Sequence, residues 1–153
     1  MLAKHKINRI LATALEGGAD FAEVFYEDTK LNSISLENQK LERVKTGYDL
    51  GVGVRVITGE QVSYAYTDDL SLDSLLKTAK VAGAASQGQN SVEVTDLTTQ
   101  EPELVHPIEN TPSKITKDKK VKLVTTADKA ARDYDNKIRQ VMASYSDKQQ
   151  KIM

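Results

Sequence analysis

A chain of 153 residues has the length of one domain with a real core, and 39% hydrophobic, 28% charged and 5% aromatic residues give it the balance of a globular protein with an aliphatic interior. Its 21 basic residues nearly cancel 22 acidic ones, and a formal charge of −1 excludes recruitment to nucleic acid or anionic lipid by bulk charge. The lack of cysteine excludes disulfides, thiolate catalysis and cysteine-ligated metal within this chain.

Ile7, Ile10, Leu11, Ala14 and Leu15 fall at helical spacing, with Gly17-Gly18 where a helix end wants a residue free to take positive φ; the first element is a helix from about Ala3 to Glu16. Charges every few residues at this end leave no signal-peptide core or membrane span, so a cytoplasmic location with no membrane contact is expected. Ala19 to Asp28 reads as a strand with Ala22, Val24 and Tyr26 on one face and Phe21, Glu23 and Phe25 on the other. Asn32 to Leu36 and Leu41 to Lys45 are two shorter alternating runs joined by the turn chemistry of Glu37-Asn-Gln-Lys40, a meander.

Tyr48 to Ile57 and Gln61 to Thr67 then flank the turn Thr58-Gly59-Glu60. Val52, Val54 and Val56 share one face of the first strand, while Gly51, Gly53 and Arg55 share the other, so a neighbour is expected close against that flat side. Asp69 to Ser71 offers capping oxygens to a helix whose stripe of Leu72, Leu75, Leu76, Ala79 and Ala82 runs to about Ser86 and should cover the sheet.

Gln87 to Ile115 is polar and holds all three prolines; a connection of this length is functional or mobile. Thr116 can cap a third helix from Lys117 to about Asp135, with Leu123, Ala127, Ala130 and Tyr134 along one side. Ile138 to Tyr145 alternates as a strand, Ser146-Asp-Lys-Gln149 reads as a turn, and Lys151-Ile-Met153 begins a new strand. That pattern suggests a hairpin cut in its second strand and a truncated chain. The class is α/β (α+β): a mixed, mostly antiparallel sheet backed by two or three helices.

No catalytic constellation emerges. His5 and His106 have no zinc-binding spacing, and no serine sits in a nucleophile-elbow sequence. Gly51-Val-Gly53-Val-Arg55-Val56 lacks the third glycine of a dinucleotide fingerprint and continues as a strand. Asp68, Asp69 and Asp73 sit where carboxylates cap a helix rather than gather a cation. Lys117, Lys119, Lys120 and Lys122 are balanced by Asp118, Asp128, Asp133 and Asp135, as on a solvated helix. The candidate groove-lining or partner-facing residues are Arg55, Tyr64 and Tyr66. Both tyrosines project from the side of Val62; they either complete the core with hydroxyls at its edge or flank an extended peptide added to the sheet, and periodicity does not choose.

Gly51-Val-Gly-Val-Arg-Val-Ile-Thr-Gly-Glu60, continued by Ser63-Tyr-Ala-Tyr-Thr-Asp68 and the leucine-rich helix from Ser71, resembles the N-terminal domain of the TldD/PmbA family, with the TldD branch the nearer. These are cytoplasmic proteins once labelled modulators of DNA gyrase and regarded as zinc-dependent peptidases. The resemblance spans most of the chain, is strongest from Gly47 to Ala85 and is weak across residues 87–115.

That resemblance implies one N-terminal domain over residues 1–153 of a longer protein, with the zinc of the intact protein held by a His-Glu-x-x-x-His helix outside this segment. No metal, cofactor or catalytic residue transfers to this chain. The implied partners are a peptide or unfolded-protein substrate and an identical or related subunit in a dimer, with no nucleic acid. A stand-alone protein-binding α/β module without enzymatic activity is the alternative. A gyrase regulator rests only on the family's older label and gains nothing from the charge.

Overall fold

The structure, a computed structural model, describes residues 1–84, 92–94, 97–100, 102–103 and 105–153. Helix α1 (Lys4–Leu15) presents Ile10, Leu11 and Ala14 inward, and Gly18 beyond its end takes φ 81, as the Gly17-Gly18 pair predicts. Strand β1 (Phe21–Glu37) and strand β2 (Lys40–Thr58) form a long hairpin, and β2 continues through a second turn into β3 (Gln61–Thr67). Helix α2 (Leu72–Ala84) follows; its predicted extension to Ser86 lies outside the described residues. Helix α3 (Lys117–Tyr134) and strand β4 (Met142–Ile152) complete the chain, after a single 3-10 turn at Pro112–Lys114. The strands make a four-stranded antiparallel sheet in the order β3-β2-β1-β4, and the class is α+β.

Two predicted boundaries give way. The four runs expected between Ala19 and Ile57 are two continuous strands, because the polar stretch around Thr29 to Asn32 and the one around Thr46 to Tyr48 stay in ladder conformation. Their hairpin turns at Asn38 and Gln39, at φ 47 and 68, the two successive positive values of a type I′ turn. The predicted strand 138–145 begins only at Met142, residues 138–141 lying outside it, and it runs on through the predicted turn 146–149 and the predicted new strand at 151 as one strand, β4. Its alternation runs through the supposed turn because Asp147 and Gln149 point inward to partners: Asn32 Nδ2 donates to Asp147 Oδ1 at 2.8 Å, and the Ser113 N–H donates to Gln149 Oε1 at 3.3 Å.

The chain divides into two compact units, residues 1–28, 50–103 and 151–153 in the first and 29–49 and 104–150 in the second. In the first, α1 and α2 cover a sheet face made by Tyr26, Val52, Val54 and Val56, with Ile10, Ala14, Leu75, Ala79 and Ala82 between them. Each valine is at most 1% exposed, and burying a side chain of that size contributes about 1.5–3 kcal/mol. Gly83 lets the helices close: a Cβ there would stand 2.6 Å from the Ala14 carbonyl oxygen. Ser71 Oγ caps α2 through the Ser74 N–H, and Asp69 accepts from the Ser71 N–H at 2.9 Å. That bond to the Ser71 backbone, with one to its hydroxyl, holds the Asp69 carboxyl below the usual range. Ser63 Oγ donates to the Ala82 carbonyl at 2.6 Å, fastening β3 to α2.

In the second unit, α3 packs on Ile34 and Leu36 of β1 and on Ala143 and Tyr145 of β4. Thr116 caps it as predicted, accepting from the Lys119 N–H at 3.4 Å. The side that carries Leu123, Ala127, Ala130 and Tyr134 is exposed, and the buried face is Lys120, Val124 and Asp128, with Val121 half-buried. Lys120 and Asp128 can occupy it because each has a partner, Asp147 for the first and Arg132 for the second.

Candidate functional site

The residues singled out from sequence lie on the outer face of the first unit. With Val52, Val54 and Val56 turned to the core, the opposite face of β2 carries Gly51, Gly53 and Arg55. Register pairs Gly53 with Tyr66, Arg55 with Tyr64 and Ile57 with Val62. Tyr64 is 59% exposed, Tyr66 79% and Val62 61%, so the tyrosines do not complete the core; that alternative is overturned because the three valines and the two helices already fill it. The two rings stack with centroids 6.4 Å apart and planes at 27°. Tyr64 lies over Gly53 where any Cβ would collide with it, so the neighbour expected against the flat side is the hairpin's own tyrosine. Arg55 Nε meets Glu23 Oε1 at 2.7 Å with both side chains nearly half exposed, a pair contributing at most about 1 kcal/mol. Phe21 and Phe25 stand on the same face of β1 as Glu23, both more than two-fifths exposed.

The second unit holds a polar centre that hydropathy reading passes over. Lys120 Nζ stands 2.7 Å from Asp147 Oδ2 and 5.8 Å from the centroid of the Tyr145 ring. Asp147 Oδ1 accepts from Asn32, and Asn32 Oδ1 accepts from the Thr46 hydroxyl at 3.0 Å. Burial pushes the Asp147 carboxyl up, but hydrogen bonds from Lys120, Asn32 and Tyr145 and the Lys120 charge outweigh it and hold the group below the usual carboxylate range. Burial first, then the bond to Asp147, raises the Tyr145 phenol. Only the two-residue period of β4 and the four-residue spacing of Lys120, Val124 and Asp128 could have signalled these inward positions.

A cleft of ≈ 540 Å³ lies along α3 and is lined by Leu36, Leu41, Val121, Asp128 and Arg132 among others. Arg132 Nε donates to both Asp128 oxygens, at 3.1 and 3.3 Å, and a terminal nitrogen of its guanidinium donates to Asn38 Oδ1 at 3.2 Å. Held by Asp128 on its own helix, Arg132 ties the β1–β2 turn to α3 through Asn38.

His5 and His106 are both exposed. Among the described residues no three of His, Cys, Asp and Glu come together in a group able to hold a metal ion. Among those residues, too, no helix is long and apolar enough to cross a membrane.

Residues 22–86 match the family described as PmbA/TldA metallopeptidase domain 1. The whole chain is 28% identical to a metalloprotease TldD homolog of Buchnera aphidicola subsp. Schizaphis graminum, of which it covers 33%. It is 29% identical over 88% of its length to the TldD homolog of Haemophilus influenzae, covering 28% of that protein. The chain thus spans about a third of the length of the curated relatives it matches. Among solved structures, a protein named as a modulator of DNA gyrase from Bacteroides thetaiotaomicron superposes with a TM-score of 0.73 at 17% identity, over 97% of this chain and 35% of that one. TldE from Thermococcus kodakarensis superposes at 0.64 and 12% identity, over 97% of this chain and 34% of its own. At such identities these likenesses establish the fold alone.

Proposed function

The chain is an N-terminal domain of the PmbA/TldD family, and on that premise we propose that it is the non-catalytic part of a TldD-like zinc-dependent peptidase, shaping substrate access and packing against an identical or related subunit. The observation that carries this reading is the match of the whole chain to a third of a protein named as a metalloprotease, over a segment whose described residues assemble no metal group. The outer face of the first unit supplies the surface such a role needs. Phe21, Phe25, Val62, Tyr64 and Tyr66 surround the matched Arg55–Glu23 pair, and exposed aromatic residues of this kind are characteristic of interface centres.

In this reading zinc belongs to the intact protein, peptides or unfolded chains are its substrates, the location is cytoplasmic, and nucleic acid has no part. The test is to purify the chain alone and measure bound zinc and peptide hydrolysis. Neither is expected at a stoichiometric or catalytic level, and either one overturns the assignment. In the intact protein, Tyr64→Ala with Tyr66→Ala should weaken subunit association or raise KM for peptides while zinc content stays unchanged. A double variant with normal assembly and normal KM removes the outer face from the proposal.

A further inference from the structure

Strands β1 and β2, the 3-10 turn and the first turn of α3 converge in the second unit on a cleft of ≈ 310 Å³. Lys30, Asn32, Thr46, Tyr48, Lys117 and Lys120 line most of it, and no carboxylate is part of the lining. Asp147, in contact with two of these lining residues, is consumed from within: its two oxygens take Lys120 and Asn32. Lys30 Nζ is held 5.3 Å above the Tyr48 ring, and among the described residues neither Lys30 nor Lys117 is ion-paired. Lys117 is also the first residue of the 18-residue α3, whose positive end adds to the field.

We propose that this cleft binds a small oxyanion, a ligand carrying phosphate or carboxylate groups, with Lys30 and Lys117 matching its charge. The Thr46–Asn32–Asp147–Lys120 network is its floor. A buried ion pair is a costly way to build a floor when apolar side chains would pack as well, but it fixes polar groups in place before a ligand arrives. The volume lies at the low end of ligand cavities, roughly 300–1,000 Å³, which favours a ligand the size of pyrophosphate or a tricarboxylate over a nucleotide.

The experiment is a ¹⁵N-edited NMR titration of the full chain with sodium pyrophosphate, with sodium citrate, and with sodium chloride at matched ionic strength. Saturable shifts at the amides of Lys30, Thr46, Tyr48, Ser113 and Lys117 with pyrophosphate or citrate, and none with chloride, support the proposal. The stronger of the two identifies the ligand as a phosphate or a carboxylate. K30Q/K117Q should weaken binding at least about tenfold with the spectrum still dispersed, and K30R/K117R should retain it. Should the double Gln variant unfold, K117Q alone, at an exposed position, carries the test. Shifts that fail to saturate, that chloride reproduces, or that survive K30Q/K117Q overturn it.

Discussion

The ammonium of Lys120 and the carboxylate of Asp147 stand 2.7 Å apart with side chains only 4% and 8% exposed, so an ion pair forms part of the second unit's packed interior. Removing one member leaves the other charged and buried, and K120M or D147A should each cost about 3–5 kcal/mol. The double variant should cost clearly less than the sum. Urea unfolding of the four proteins of the cycle measures the coupling; additivity within about 0.5 kcal/mol would show that the charges do not depend on one another.

The same pair sets an acid limb. With its carboxyl held below the ordinary value of 3.8, Asp147 binds fewer protons in the folded chain than in the unfolded one. Its stabilisation is therefore full above that ordinary value and drains away as pH falls through the lower, folded one. Urea midpoints followed downward through this window should fall more steeply for the natural chain than for D147N, and parallel curves would refute the assignment.

Two glycines separate close packing from loose packing. At Gly83 a side chain would press on the backbone of Ala14 between two packed helices, a clash costing about 1–3 kcal/mol. G83A should lower stability despite the roughly 1 kcal/mol that alanine adds to a helix. At Gly53 a side chain meets only the exposed ring of Tyr64, which can swing outward, so G53A should change stability by no more than about 0.5 kcal/mol. Thermal unfolding of both variants checks the ranking.

Gln39 holds φ 68 in the β1–β2 turn, a conformation that costs a residue with a Cβ roughly 1–2 kcal/mol. Gln39→Gly should relieve most of that and raise the melting temperature. Asn38→Gly should do less, because asparagine tolerates this region and Asn38 Oδ1 would be lost to Arg132.

The first helix, the 48–67 hairpin and the second helix were legible because period and turn chemistry agree there: alternating valines, a Gly-led turn with Gly59 at φ 55, and capping oxygens before a leucine stripe. The third helix misled because hydropathy places Lys120 and Asp128 outside. Only their partners, brought in from β4 and from the next helical turn, make them core residues. Asp147 and Gln149 disguised β4 as a turn for the same reason. The side on which Tyr64 and Tyr66 lie was undecidable from alternation alone, since both faces of their strand alternate equally well. The oxyanion cleft was out of reach, being assembled from segments that are distant along the chain.

Because Arg55 already has Glu23, the guanidinium among the rings of the outer sheet face is matched before any partner arrives. Adhesion there should be governed by water release: a clearly negative heat-capacity change on association, and an equilibrium that moves little between dilute and concentrated sodium chloride.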